Sequence, residues 1–297
     1  MAFGKKKVIA NDVTQENVAL RAAEALAKQR AKRFFLAVRL TLESPMLLHR
    51  WSTKAINQML GKMVGKEMPR PPKDLTQEFD ESWYRNTDGV PAIPCRIVKA
   101  CIVEGAIATQ GVVSKAQLKR ELRVRGFTAP IRNSKGKLLT AKELRMDVRI
   151  ASNNGTPDVR SRAVVPEGSY FDVTLEFPPT LSPDQIMSAL QGAGASIGLC
   201  DWRPDKGGEY GTFSVEALSD KHAVDRVLKE CAVPEEEFEI PPELLRAFNT
   251  VPTEKLSDSA RKVRSLIDHV AGQQNANGAA KRGPGRPRKD LAQASAS

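Results

Sequence analysis

Paired cysteines, histidine clusters and long apolar runs are what this 297-residue chain does without. Its four cysteines, Cys95, Cys101, Cys200 and Cys231, match neither a CxxC metal clip nor a secreted disulfide framework. No apolar leader or membrane-length span follows Met1, so the sequence points to a reducing cytoplasm and away from a membrane. Only three histidines occur, and no Walker loop, HExxH element or paired-carboxylate motif is present, so no metal and no cofactor is called for. Aromatics are scarce at 5%, which makes each exposed one informative.

Positive charge, by contrast, is plentiful. The formal net charge is +11, and a basic stretch at 114–150 holds Lys119, Arg120, Arg123, Arg125 and several more cations against three carboxylates. An acidic run follows at 234–243, with Glu235, Glu236, Glu237, Glu239 and Glu243. A basic field draws polyanions, which favours nucleic acid as partner; solubility or an acidic protein partner would use the same charge.

The alternation of Phe34, Leu36, Val38, Leu40 and Leu42 predicts a half-buried strand, and similar alternation predicts strands at 145–150 and 170–177. An apolar-faced helix is expected over 95–110 behind the proline-rich approach at 89–94. Ser182-Pro-Asp-Gln185 is a capping box that starts a helix running to about 193. A last strand is expected at 211–218. The order strand, helix, strand, strand, helix, strand is a split βαβ arrangement, an α+β, ferredoxin-like core with one sheet face open to a ligand. An alanine-rich helix at 14–32, whose weak apolar face suits a partner protein or a neighbouring subunit, precedes this core. The 33–218 core carries a basic insertion near 114–142 and is flanked by a basic N-terminus with its helix (1–32), a helical appendage (219–271) and a tail (272–297) of disorder-prone composition.

Two stretches carry candidate binding chemistry. The glycine-rich segment at 192–211 bears Trp202, Arg203 and Lys206, an aromatic and two cations suited to stacking a base and meeting phosphates. A plain surface turn with Trp202 anchored on the core is the alternative. In the tail, KRGPGRPRK at 281–289 resembles an AT-hook, with Arg286 and Arg288 as readers of a narrow A·T-rich minor groove in duplex DNA.

The GVPAIP run at 89–94 leading into Arg96, the VPEG turn at 165–168, the helix from Ser182 and the glycine-rich segment come in an order similar to that of the RAMP superfamily, the RNA-binding subunits of CRISPR effector complexes. The resemblance implies a ferredoxin-like or RNA-recognition fold that contacts single-stranded RNA through the glycine-rich loop, often as a homo-oligomer, with the insertion as a thumb. Asp201, Asp205 and Glu209 interrupt that loop, and the tail motif gives the chain the look of a phage or mobile-element protein. Some RAMP ribonucleases use an early histidine, which makes His49 a candidate general acid/base for metal-independent RNA cleavage; a surface histidine is the alternative. The sequence therefore favours a non-catalytic binder of single-stranded RNA or DNA. An endoribonuclease using His49, or a phage assembly protein, stands as its rival.

Overall fold

In chain order the elements of the computed structural model are β1 (Phe34–Leu42), β2 (Met46–Leu47), α1 (Thr53–Met63), α2 (Leu75–Glu81), β3 (Ala92–Pro94), α3 (Cys95–Gly105), α4 (Lys115–Glu121), β4 (Arg123–Arg125), β5 (Thr128–Pro130), β6 (Arg145–Asn153), β7 (Thr156–Val165), β8 (Tyr170–Phe177), α5 (Pro183–Gly192), β9 (Phe213–Ala217), α6 (Ala223–Glu230) and α7 (Pro242–Thr250). The structure describes residues 32–66, 68, 72–153, 156–236, 241–250 and 261. The helix expected at 14–32, the acidic residues 237 and 239, and the tail with Arg286 and Arg288 lie outside the described residues, as does all but Arg261 of the helix expected at 257–271.

Two units divide the chain. Residues 53–72 and those from 238 onward form one, where α1 and α7 pack on each other with Leu60 and Leu244 buried. The other unit holds residues 1–52 and 73–237.

Its main sheet runs β4-β8-β1-β9, antiparallel throughout. With α3 between β1 and β4, and α5 between β8 and β9, this is a ferredoxin-like arrangement within an α+β fold. Val38, Leu40 and Leu42 of β1 and Phe171, Val173, Leu175 and Phe177 of β8 are buried beside Val98, Ile102, Ile186, Ala189 and Leu190 of the two helices. Each such valine, leucine, isoleucine or phenylalanine side chain contributes roughly 1.5–3 kcal/mol on burial. Pro94 caps α3 with extended backbone, and Ser182 and Gln185 form the expected capping box on α5.

Three expectations need correcting. The second strand of the core is the three-residue β4, inside the basic stretch, and not 145–150. That segment is instead β6, which pairs with β7 from Arg145↔Val164 to Asn153↔Thr156 in a separate sheet, β2-β7-β6. α2 lies along β7: the Ala163 N–H donates to Ser82 Oγ (2.8 Å) and the Ser161 N–H to Glu78 (3.4 Å).

Nor is the second sheet face open. Ala37, Asp172, Thr174 and Glu176 point away from α3 and α5, yet all are buried, and α6 packs across β1 and β8 with Ala223, Val227 and Cys231 in the core. On the polar face of β8, expected to be wet, Asp172 and Glu176 are met by internal cations, while Thr174 Oγ1 is buried without a hydrogen-bond partner. Arg39 donates to both Asp172 carboxylate oxygens (2.8 and 3.0 Å), and Glu176, only 1% exposed, takes ion pairs from Arg33, Arg123 and Arg125. Among the described residues no helix is long and apolar enough to cross a membrane.

Candidate nucleic-acid interface

Residues 193–211 fold against their own chain. After α5 a π-type turn (Ala193–Ile197) leads through Gly198 to a short 3-10 turn (Pro204–Lys206) and on to β9. The Asp201 N–H donates to the Leu47 carbonyl (3.0 Å), the Gly211 N–H to that of Pro45 (2.9 Å) and the Tyr210 N–H to that of Trp202 (3.0 Å). A side chain on Gly208 would meet the Trp202 carbonyl oxygen at 1.8 Å, and one on Gly194 or Gly211 would meet the Phe213 or Leu199 carbonyl at 2.0 or 2.2 Å. The space these glycines leave is thus filled by the loop itself and not held for a ligand, which corrects the reading of their purpose.

What the loop presents is Trp202. Cys200 and Trp202 both sit in the left-handed region, at φ 63° and 52°, with Asp201 between them. A bulky residue there is an outlier held by surrounding structure at roughly 1–3 kcal/mol. Trp202 is 48% exposed. The Arg149 guanidinium lies 4.6 Å from its ring centre and also stacks over Tyr210, whose hydroxyl it contacts.

Asp201 separates two clefts. One, of about 310 Å³, is lined by Asp147, Arg149, Arg160, Arg162 and Trp202. The other, of about 750 Å³, is lined by His49, Tyr84, Arg96, Arg203, Asp205 and Lys206 among others. The arginines of the first come from the hairpin, where the register sets Asp147 opposite Arg162 and Arg149 opposite Arg160 on one face. Sequence reasoning missed them by reading no strand at 156–165, although Asn154-Gly155 is a strong hairpin signal.

These cations are already partnered. Arg149 pairs with Asp147 (2.7 Å), Arg160 with Asp158 (3.1 Å), Arg162 with Asp201, and Arg203 and Lys206 both with Asp205 (3.2 Å each). Hydrogen bonds from Lys73 and Arg160 hold the Asp158 carboxyl below its usual range. Burial and the neighbouring Arg160 lower the Arg162 pKa, with Asp201 opposing both.

His49 Nδ1 stands 3.6 Å from Asp201 Oδ2, beyond hydrogen-bonding distance. Burial and then the Arg162 charge lower its pKa, so the neutral imidazole is favoured near neutral pH. The thiols of Cys101 and Cys200, which line the larger cleft, are pushed up to about 12 by burial, which favours the protonated thiol over the thiolate.

The remaining sequence candidates lie elsewhere. Lys119 and Arg120 are exposed on α4, and Arg123 and Arg125 stand on edge strand β4 around Glu176. β4 and β9 occupy opposite edges of the sheet, and neither cleft beside Asp201 contains any of these four residues. Among the other aromatics Trp83 and Tyr84 are buried and Trp51 is exposed. Among the described residues no group of three or more His, Cys, Asp or Glu side chains could hold a metal ion.

No protein-family model matches the chain, and no curated protein matches it. Solved structures do. A chain from "the Type III-B Cmr-beta bound to cognate target RNA" has 13% identity and a TM-score of 0.36, covering 72% of this chain and 68% of its own. Cmr6 from Pyrococcus furiosus has 10% identity and a TM-score of 0.33, covering 63% of this chain and 98% of its own. The ferredoxin-like assignment rests on the strand order and register of the chain itself.

Proposed function

We propose that this chain binds single-stranded RNA or DNA without a catalytic step of its own, with Trp202 as the stacking platform and the two clefts beside Asp201 as the path of the backbone. The observation that carries this reading is Trp202 itself. A half-exposed indole held at a left-handed backbone position, backed by a guanidinium and flanked by five cations, suits a base that stacks while its phosphates meet arginine. Stacking tolerates any base, so recognition through this site is expected to be weakly sequence-selective.

The carboxylate partners shape the electrostatics. They hold Arg149, Arg160, Arg162 and Arg203 in place at the expense of free charge, so stacking supplies a large share of the affinity and the salt dependence is moderate. Lys119, Arg120, Arg123 and Arg125 form a second basic surface that a longer strand would reach. Arg286 and Arg288 of the tail would tether the protein to A·T-rich duplex, and self-association along a strand fits the same reading.

Fluorescence titration with single-stranded RNA and DNA, for the wild type and Trp202→Ala, tests it. Quenching and tight binding that both fall with the indole are expected. Weak, purely salt-driven binding indifferent to Trp202 would instead mark an assembly protein whose charge merely matches nearby nucleic acid. RNA cleavage lost in His49→Ala would establish the ribonuclease.

A further inference from the structure

The acidic run left unused by the binding site has a partner. Residues 233–236 lie extended across the loop after α2: the Thr128 hydroxyl donates to the Val233 carbonyl (2.6 Å), the Thr87 N–H to the Pro234 carbonyl (3.0 Å) and the Glu236 N–H to the Arg85 carbonyl (3.0 Å). This backbone pairing delivers Glu235 and Glu236 to three arginines. Arg50 Nε is 4.0 Å from Glu235, and its Nη1 is 3.7 Å from Glu236, whose carbonyl accepts from Arg50 Nη2 at 3.1 Å. Arg85 Nε is 3.3 Å from Glu236, with its guanidinium 3.9 Å over the Trp83 ring and a second contact to Asp80 (3.1 Å). Arg96 donates to Glu235, which raises its pKa.

Three guanidinium groups converging on two carboxylates form an anion site with an occupant already in it. The planar fork that grips a carboxylate grips a phosphodiester equally well. Arg96 also lines the larger cleft with Arg203 and Lys206, so the strapped arginines continue the path assigned to the nucleic-acid backbone. Residues 233–236 belong to no helix or strand, and an isolated antiparallel bridge between Asn86 and Glu235 joins these ion pairs and hydrogen bonds in holding the strap.

We propose that Arg50, Arg85 and Arg96 are a further phosphodiester-binding site, and that Glu235 and Glu236 are its built-in competitor, displaced when a strand extends along the larger cleft. This rests on the nucleic-acid reading given above. The strap makes binding conditional: a short oligonucleotide that reaches only Trp202 leaves it in place, whereas a longer one exchanges carboxylate for phosphate.

The test is Glu235→Gln with Glu236→Gln in the full chain, titrated with a long oligouridylate across a salt series. Affinity at low salt should rise roughly tenfold, equivalent to one charge-assisted contact regained. The plot of log affinity against log salt should be steeper by about 2 for the long oligouridylate than for one that reaches only Trp202, given about 0.7 per single-strand phosphate met by each of three arginines. Adding Arg50→Gln and Arg85→Gln should abolish the gain. Unchanged long-strand affinity in the glutamine variant, or equal salt slopes for the long and the short strand, would overturn the proposal.

Hydrogen exchange on the wild type removes dependence on that variant's folding. The Thr87 and Glu236 amides should lose protection on saturation with long oligouridylate and keep it with a short one; protection retained with both overturns the competitor role. A gain in the glutamine variant alongside indifference to Trp202→Ala would sink the stacking site and leave the strap standing, and the converse pattern would do the reverse.

Discussion

The guanidinium of Arg149 lies 4.6 Å from the ring centre of Trp202 and 4.8 Å from that of Tyr210, joining the β6–β7 hairpin to the segment before β9. Two features distant in sequence thereby become one surface. Lysine cannot reproduce the planar stack, so Arg149→Lys should weaken oligonucleotide binding by about 0.5–2 kcal/mol while leaving the thermal midpoint nearly unchanged. Titration and calorimetry on the same variant check both parts.

Glycine positions in the loop separate crowding from backbone conformation. Gly208→Ala places a methyl against the Trp202 carbonyl and should destabilise by about 1–3 kcal/mol in urea unfolding, reducing oligonucleotide affinity as Trp202 shifts. Gly207→Ala meets no atom within 4 Å and suffers only from its φ of +75°, a cost of about 1–2 kcal/mol with affinity retained.

Much of the core was legible because local signals agreed with the fold. The alternation in β1 and β8, the proline approach to α3 and the Ser182 capping box all follow from period or cap chemistry. β4 was not legible, since Arg-Val-Arg shows no apolar period and becomes a strand only by pairing with Leu175 and its neighbours. The covered sheet face was hidden for a similar reason: only tertiary contact shows that α6 packs across β1 and β8, and that Thr174 and Glu176 of that face are buried. Trp202, Arg203 and Lys206 were visible as candidates, whereas Arg149, Arg160 and Arg162 required a hairpin register, and the strap on Arg50, Arg85 and Arg96 required contacts across more than a hundred residues. A glycine in sequence shows that space is left free and not what fills it.

Glu176 anchors the β4 edge. Glu176→Gln leaves Arg33, Arg123 and Arg125 around a neutral amide and should lower stability by about 1.5–3 kcal/mol, the range for hydrogen bonds to charged groups. Urea unfolding should show a lower midpoint with an unchanged m-value.

His49 carries a pH signature. Its folded-state pKa lies below the unfolded value because burial and Arg162 disfavour the imidazolium, with Arg160 adding to this and Asp201 opposing it. As pH falls through the unfolded pKa of about 6.5, the unfolded chain takes up a proton that the native state resists, so stability declines on acidification and is fully present above that pH. His49→Asn should flatten the fall in thermal midpoint between neutral and mildly acidic pH, which differential scanning calorimetry would detect.

The most direct test of the central claim is oligouridylate affinity across a salt series for the wild type and Trp202→Ala. The stacking account predicts a loss of about 1–3 kcal/mol at every salt concentration, with the salt slope unchanged. Equal affinities for the two proteins, with all binding vanishing at high salt, would contradict it.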